Sequence, residues 1–186
     1  MLEAKKILED DLQNIKTIHT LGPSGTNCEK AASKWFADRG MKGETVLHPT
    51  LETALKSVIG NQDAALLGCV VYPALHNLVF SNLDKLKLHE CFVMETFHMV
   101  LAAKEYIDIN NSKIVASHKA PSPLILNLTK QVKLVNSNSQ AAIVCANGEA
   151  DACITTYPLV EKYGLKIIEN FGKVPMGFTI HINKNN

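Results

Sequence analysis

Short apolar, β-branched runs alternate along this chain with stretches in which apolar residues recur every three or four positions. The first spacing is that of a buried strand, the second that of an amphipathic helix. Residues 15–21 read as a strand. Gly22, Pro23 and Gly25 then punctuate a tight turn, and from about Ser24 a helix runs through Ala31, Ala32, Trp35 and Phe36. Residues 44–47 predict a second strand, and Thr50 caps a helix carrying Ala54, Leu55, Val58 and Ile59. Residues 64–71 form an apolar run of the kind buried on both faces of a parallel sheet. Residues 73–84 predict a loop or short helix, and residues 86–103 supply two strands.

The pattern then restarts. Strands are predicted at 113–116, 132–135, 151–154 and 165–168, with helices around 124–128, from Ser137 through Cys145, and at 158–163. The closing run 177–182 alternates and can return to the first unit. Ahead of everything, residues 2–14 predict a short amphipathic helix that docks on its own domain or on a second subunit, the homodimer option. Strand and helix alternate in both halves, so the class is α/β with mostly parallel sheets. Two such units joined by extended crossings imply two lobes with a cleft between lobes: lobe 1 about 15–93 plus 173–186, lobe 2 about 94–172.

Composition narrows the function. The chain has 186 residues, 46% hydrophobic and 20% charged, with net charge +1, which describes an ordinary soluble domain and argues against a nucleic-acid partner. Arg39 is its sole arginine, so a bound carboxylate must be held by backbone N–H groups, hydroxyls, His or Lys rather than by a guanidinium fork. The five cysteines are scattered without a C-x-x-C pair, which predicts no disulfide framework and no metal or other cofactor. No apolar signal core and no membrane-length apolar run occurs, and the expected compartment is the cytoplasm.

Ligands in open α/β sheets sit beyond the carboxyl ends of strands, where helix N-termini converge. Four segments fall at such ends: 22–26, 72–77, 117–118 and 137–140. They offer Ser24, the Gly25 backbone, Thr26, His76, Ser117, His118, Ser137, Asn138, Ser139 and Gln140 to a small polyanion. Each has a structural counterpart: the glycine turn as a capped helix start, His118 as a cap on the following turn, Ser137 and Ser139 as helix caps, and His76 as a solvated loop histidine. Glu95 is the one carboxylate within the apolar stretch 91–103; burial would raise its pKa and make it a proton donor, whereas an outward strand position would leave it solvated.

Leu21-Gly22-Pro23-Ser24-Gly25-Thr26 resembles the L-G-P-x-G-T opening of prephenate dehydratase domains. Ser117-His118 matches the start of that family's S-H-P-Q-A-L segment, and Ser137-Asn138-Ser139-Gln140-Ala141-Ala142 resembles its S-N-T-x-A-A segment. The resemblance implies a single catalytic domain with the two-lobed type II periplasmic-binding fold, a prephenate-like dicarboxylate as substrate, and Met176 and Phe178 beside it. Two departures bear on the reaction. The dehydratase signature T-R-F falls at Met176-Gly177-Phe178, without its threonine and arginine, and the family's regulatory ACT domain does not follow. In these features, and around 115–125, 133–142 and 174–176, the chain is similar to the prephenate decarboxylases of the bacilysin pathway and related natural-product pathways. The resemblance therefore implies a lyase that decarboxylates prephenate without aromatisation, with His118, Glu95 or His76 as the proton-handling group. The alternatives are residual dehydration, or a module that binds a small carboxylate or amino acid without turnover.

Overall fold

The computed structural model describes residues 14–110 and 112–184, so the helix expected over residues 2–14 lies, apart from Asn14, outside the described residues. The chain forms two units, Met1–Met94 with Met176–Asn186, and Glu95–Pro175. In chain order the elements are β1 (Thr17–Leu21), α1 (Asn27–Asp38), β2 (Glu44–His48), α2 (Leu51–Val58), β3 (Ala64–Cys69), α3 (Leu75–Phe80) and β4 (Leu86–Glu95). There follow β5 (Met99–Ala103), β6 (Val115–His118), a 3-10 turn (Ser122–Ile125), β7 (Val132–Val135), α4 (Asn138–Ala146), β8 (Ala152–Thr156), α5 (Tyr157–Tyr163), β9 (Lys166–Gly172) and β10 (Pro175–Asn183). The helix expected at 124–128 is only this 3-10 turn, which ends at Ile125.

Each unit is built on a five-stranded sheet, ordered β2-β1-β3-β10-β4 in the first and β7-β6-β8-β5-β9 in the second. Both sheets are mixed rather than mostly parallel. β1 runs parallel to β2 and β3, whereas β10 returns antiparallel to β3. Likewise β6 is parallel to β7 and β8, whereas β5 is antiparallel to β8 and β9. The parallel pairs are those linked by helical crossovers, as a parallel connection requires.

Side-chain alternation along β10 shows how the first sheet is sandwiched. Phe178, Ile180 and Ile182 enter the core formed with Ile18 and with Cys28, Ala32 and Trp35 of α1. Thr179, His181 and Asn183 alternate with them and are also buried, so this strand has no solvent face. Leu51, Ala54, Leu66 and Leu86 make the unit's second core. In the other unit, Ala116, Ala142, Cys145, Cys153 and Leu159 form one core, and Leu101, Val115, Ile125 and Ile154 the other. No helix among the described residues is long and apolar enough to cross a membrane.

Candidate functional site

In the first unit, the carboxyl ends of β1, β2 and β3 and the start of β10 collect the chemistry-bearing groups. Gly25 takes φ 87°, a left-handed conformation that only glycine adopts freely, and delivers Thr26 to the N-cap of α1. The Thr26 hydroxyl accepts from Glu29 N–H at 3.5 Å and lies 3.4 Å from the Leu21 carbonyl. The Glu29 carboxylate reaches back over the turn, accepting the Gly25 N–H at 2.6 Å and the Ser24 hydroxyl at 3.1 Å. Thr26 and Glu29 thus form a variant of the capping box, with the acid on the amide before the cap. As the turn is folded, its donors already serve an anion belonging to the chain.

Beside this turn, Gly22 N–H donates to the His48 carbonyl at 2.7 Å. Parallel pairing of β1 with β2 also brings His19 Nδ1 within 2.9 Å of His48 Nε2. Burial pulls both imidazoles below their ordinary pKa, and for His19 the charge of His48 adds to the effect. One ring donates and the other accepts, and the lowered pKa values favour the neutral pair. Sequence reading does not single out His48; a histidine inside one strand and another at the end of its parallel neighbour are the signal for it.

At the end of β3 the Tyr72 hydroxyl donates to Glu52 at 2.7 Å. Met176, at the start of β10, holds its thioether 3.2 Å from the Cys69 thiol. Phe178 is fully buried and stacked on Phe92, with ring centroids 5.7 Å apart, so it forms the wall behind Met176 rather than an exposed contact. His76 lies on α3 beside a groove of about 300 Å³ floored by Thr179 and His181.

The second unit assembles its candidates through strand register. His118 pairs with Val135, two residues before Ser137, so the ends of β6 and β7 present His118 and the α4 N-terminus side by side. Ser137 is the N-cap of α4, accepting from Gln140 N–H at 3.0 Å. Ser139 is buried in the first turn of that helix. Ser117 is fully buried, its hydroxyl donating to the His118 carbonyl at 2.8 Å. Burial holds His118 below its ordinary pKa, and its Nδ1 faces the Ala120 N–H at 3.4 Å. The neutral ring therefore carries its proton on Nε2, which makes it a hydrogen-bond donor more readily than an acid.

Sequence reading missed the end of β8. The Thr155 hydroxyl donates to the Asn138 carbonyl at 2.9 Å, tying β8 to α4. Next to it, Thr156 Oγ1 and Asn138 Oδ1 are buried without any hydrogen-bond partner among the described residues. Native proteins rarely leave such atoms unpaired; Asn138 opens α4 beside Ser137, and Thr156 is the N-cap of α5 without a side-chain cap bond. Glu95 stands apart from this group: its carboxylate is exposed and lies 3.6 Å from Lys173. No group of three or more His, Cys, Asp or Glu able to hold a metal ion occurs among the described residues.

The family model for prephenate dehydratase matches residues 18–173. A prephenate decarboxylase of Bacillus subtilis (strain 168) is 28% identical over 182 residues, spanning 92% of this chain and 88% of that protein. A prephenate decarboxylase of Planktothrix agardhii (strain NIVA-CYA 126/8) is 29% identical over 187 residues, spanning 92% and 91%. Among solved structures, the prephenate dehydratase of Staphylococcus aureus subsp. aureus Mu50 superposes with a TM-score of 0.65 at 17% identity, covering 91% of this chain and 67% of its own. The periplasmic VFT2 domain of Bordetella pertussis BvgS gives 0.59 at 14% identity, covering 98% and 86%. These likenesses establish a periplasmic-binding type of α/β fold.

Proposed function

The chain belongs to the prephenate dehydratase family, and we propose that it decarboxylates prephenate while leaving the ring hydroxyl in place. The observation that carries this reading is the start of β10. Expulsion of the C4 hydroxyl together with the carboxylate needs a proton donor at the departing oxygen, a role worth roughly 10²–10⁴ in rate. The dehydratase signature would put threonine and arginine at Met176 and Gly177. Met176 instead presents a thioether engaged by the Cys69 thiol. Gly177 has no side chain, and a Cβ there would lie 3.1 Å from both Val70 methyls. Neither position donates a proton. The relatives named prephenate decarboxylase support the same choice.

Loss of carbon dioxide alone leaves an electron pair spread over the ring diene, and a proton must arrive at a ring carbon to quench it. On this reading Thr156, the Ser137–Gln140 turn and the Nε2–H of His118 bind and orient the substrate's carboxylates. In the first unit, the Gly25 amide and the Ser24 hydroxyl become donors to an anion once Glu29 yields them. A carboxylate beside His118 raises its pKa and restores its capacity to give a proton. His76 is the alternative donor. The setting that fits is natural-product amino-acid biosynthesis of the bacilysin kind, in the cytoplasm.

The test is to incubate the purified protein with prephenate near neutral pH against a protein-free control and identify the product. Carbon dioxide with a dihydro-hydroxyphenylpyruvate, and no phenylpyruvate beyond the control, is the expected result. Rapid phenylpyruvate formation overturns it. A binding module is the second reading, favoured by the neutral His118 and by Glu95 being committed to Lys173. Saturable prephenate binding without any turnover would establish that reading instead.

A further inference from the structure

Three sulfur atoms converge in the first unit. Cys28 is the second residue of the twelve-residue α1, Cys69 ends β3, and Met176 opens β10. Both thiols are buried, at 7% and 6% exposure, within one apolar cluster against which Met176 packs. The Cys69 thiol lies 3.2 Å from the Met176 thioether. The thiols of Cys28 and Cys69 are themselves hydrogen-bonded to each other.

We propose that Cys28, Cys69 and Met176 form a three-sulfur site for a soft monovalent metal ion of the copper(I) or silver(I) class. Two thiolates and a thioether are the donor set such ions prefer, whereas zinc would call for a fourth ligand and calcium or magnesium for oxygen ligands. The surroundings are apolar, which disfavours hard, strongly hydrated ions. Binding is an exchange of protons for metal: two S–H bonds break, two S–metal bonds form, two protons leave, and the thioether adds a third bond without ionising. The complex carries one net negative charge. Cys28 sits in the first turn of α1, where the partial positive charge of the helix start offsets it.

The second unit supplies a built-in control. Cys145 and Cys153 are also buried and also share a hydrogen bond. The Cys145 thiol faces the Ala102 and Asp151 carbonyls, both at 3.9 Å, rather than a thioether. Cys145 also lies in the last turn of α4, the end that disfavours an anion. The inference is independent of whether prephenate is turned over, because it is read by metal binding directly.

The experiment uses the full chain carrying Cys91→Ser, which removes the exposed thiol, reduced and titrated anaerobically with silver(I). Native mass spectrometry counts the bound ions and the thiolate-to-metal ultraviolet band follows binding. One ion per chain is expected, with affinity rising with pH as two protons are released. The near-isosteric Met176→Leu should weaken binding by at least the roughly 10–100-fold typical of losing an outer-shell partner. Cys69→Ser should abolish it in a chain shown to be folded by circular dichroism, and Cys145→Ser should leave it unchanged. Retention of the ion at full affinity in Cys69→Ser, its loss in Cys145→Ser, or an unaltered affinity in Met176→Leu overturns the site.

Discussion

Thr156 is the residue at which folding and function pull apart most clearly. Its hydroxyl is buried and unpartnered among the described residues, which costs the folded chain stability unless something else bonds it. Thr156→Val keeps the shape and removes that atom. The variant should be as stable as the parent or more so, yet bind prephenate roughly 10–100-fold more weakly, the loss of one hydrogen bond to a charged group. Calorimetric titration reads the second quantity and thermal unfolding the first; undiminished affinity would assign Thr156 to the interior alone. His181 makes a different residue-scale point. Burial lowers its pKa to about 4, so the folded chain keeps it neutral while the unfolded chain protonates it below about pH 6.5. Its stabilising share is complete above pH 6.5 and drains away as pH falls toward 4, reaching a loss of about 2–3 kcal/mol near pH 4.5. His19, His48 and His118 shift in the same direction. Denaturant midpoints at neutral and acid pH should therefore converge partly, not wholly, in His181→Gln. What the sequence shows at this scale is uneven. Thr26, Thr50 and Ser137 are legible as caps because a hydroxyl before an apolar-periodic run acts within four residues. Cys69 and Met176 are 107 positions apart, and no local pattern announces their contact.

Among the elements, α1 carries the sharpest ambiguity, and Glu29 decides it. The Thr26-Asn27-Cys28-Glu29 spacing is itself a capping-box signal, so the occupied turn was readable; which anion the turn prefers was not. Glu29→Ala removes the acceptor from Ser24 and Gly25 and should lower stability by about 1 kcal/mol. If those donors belong to the substrate, the same variant binds prephenate more tightly. Weaker or unchanged binding makes the turn a helix cap and no more. β10 illustrates how much of the fold the alternation pattern conveys. Its return to the first unit is legible from residues 177–182, and the structure seats it between β3 and β4. The lock at its far end is not. Asn183 donates to the Val58 and Asn61 carbonyls at 2.8 and 2.7 Å and accepts the Gly60 N–H at 3.0 Å. Asn183→Ala strands three backbone groups and should cost about 2–4 kcal/mol. Scanning calorimetry should show a melting temperature lower by roughly 4–15 °C. A shift within error would show that solvent replaces the side chain there.

For the whole molecule, the Glu95–Pro175 unit is continuous in sequence, whereas its companion is made of two pieces, Met1–Met94 and Met176–Asn186. The order of synthesis then differs from the order of the sheet. A chain emerging from the ribosome exposes β1 to β4 first, but β4 meets that sheet only through β10, the last of the described strands. At roughly 5–20 residues per second, several seconds pass between the two. By the end of that interval the second unit has all five of its strands, while the first still waits with an open edge at β3, whose six residues are all buried in the finished fold. A released chain truncated before Pro175 should accordingly show slow amide exchange in β5, β6 and β8 and fast exchange in β3 and β4, with β3 the segment a chaperone recognises.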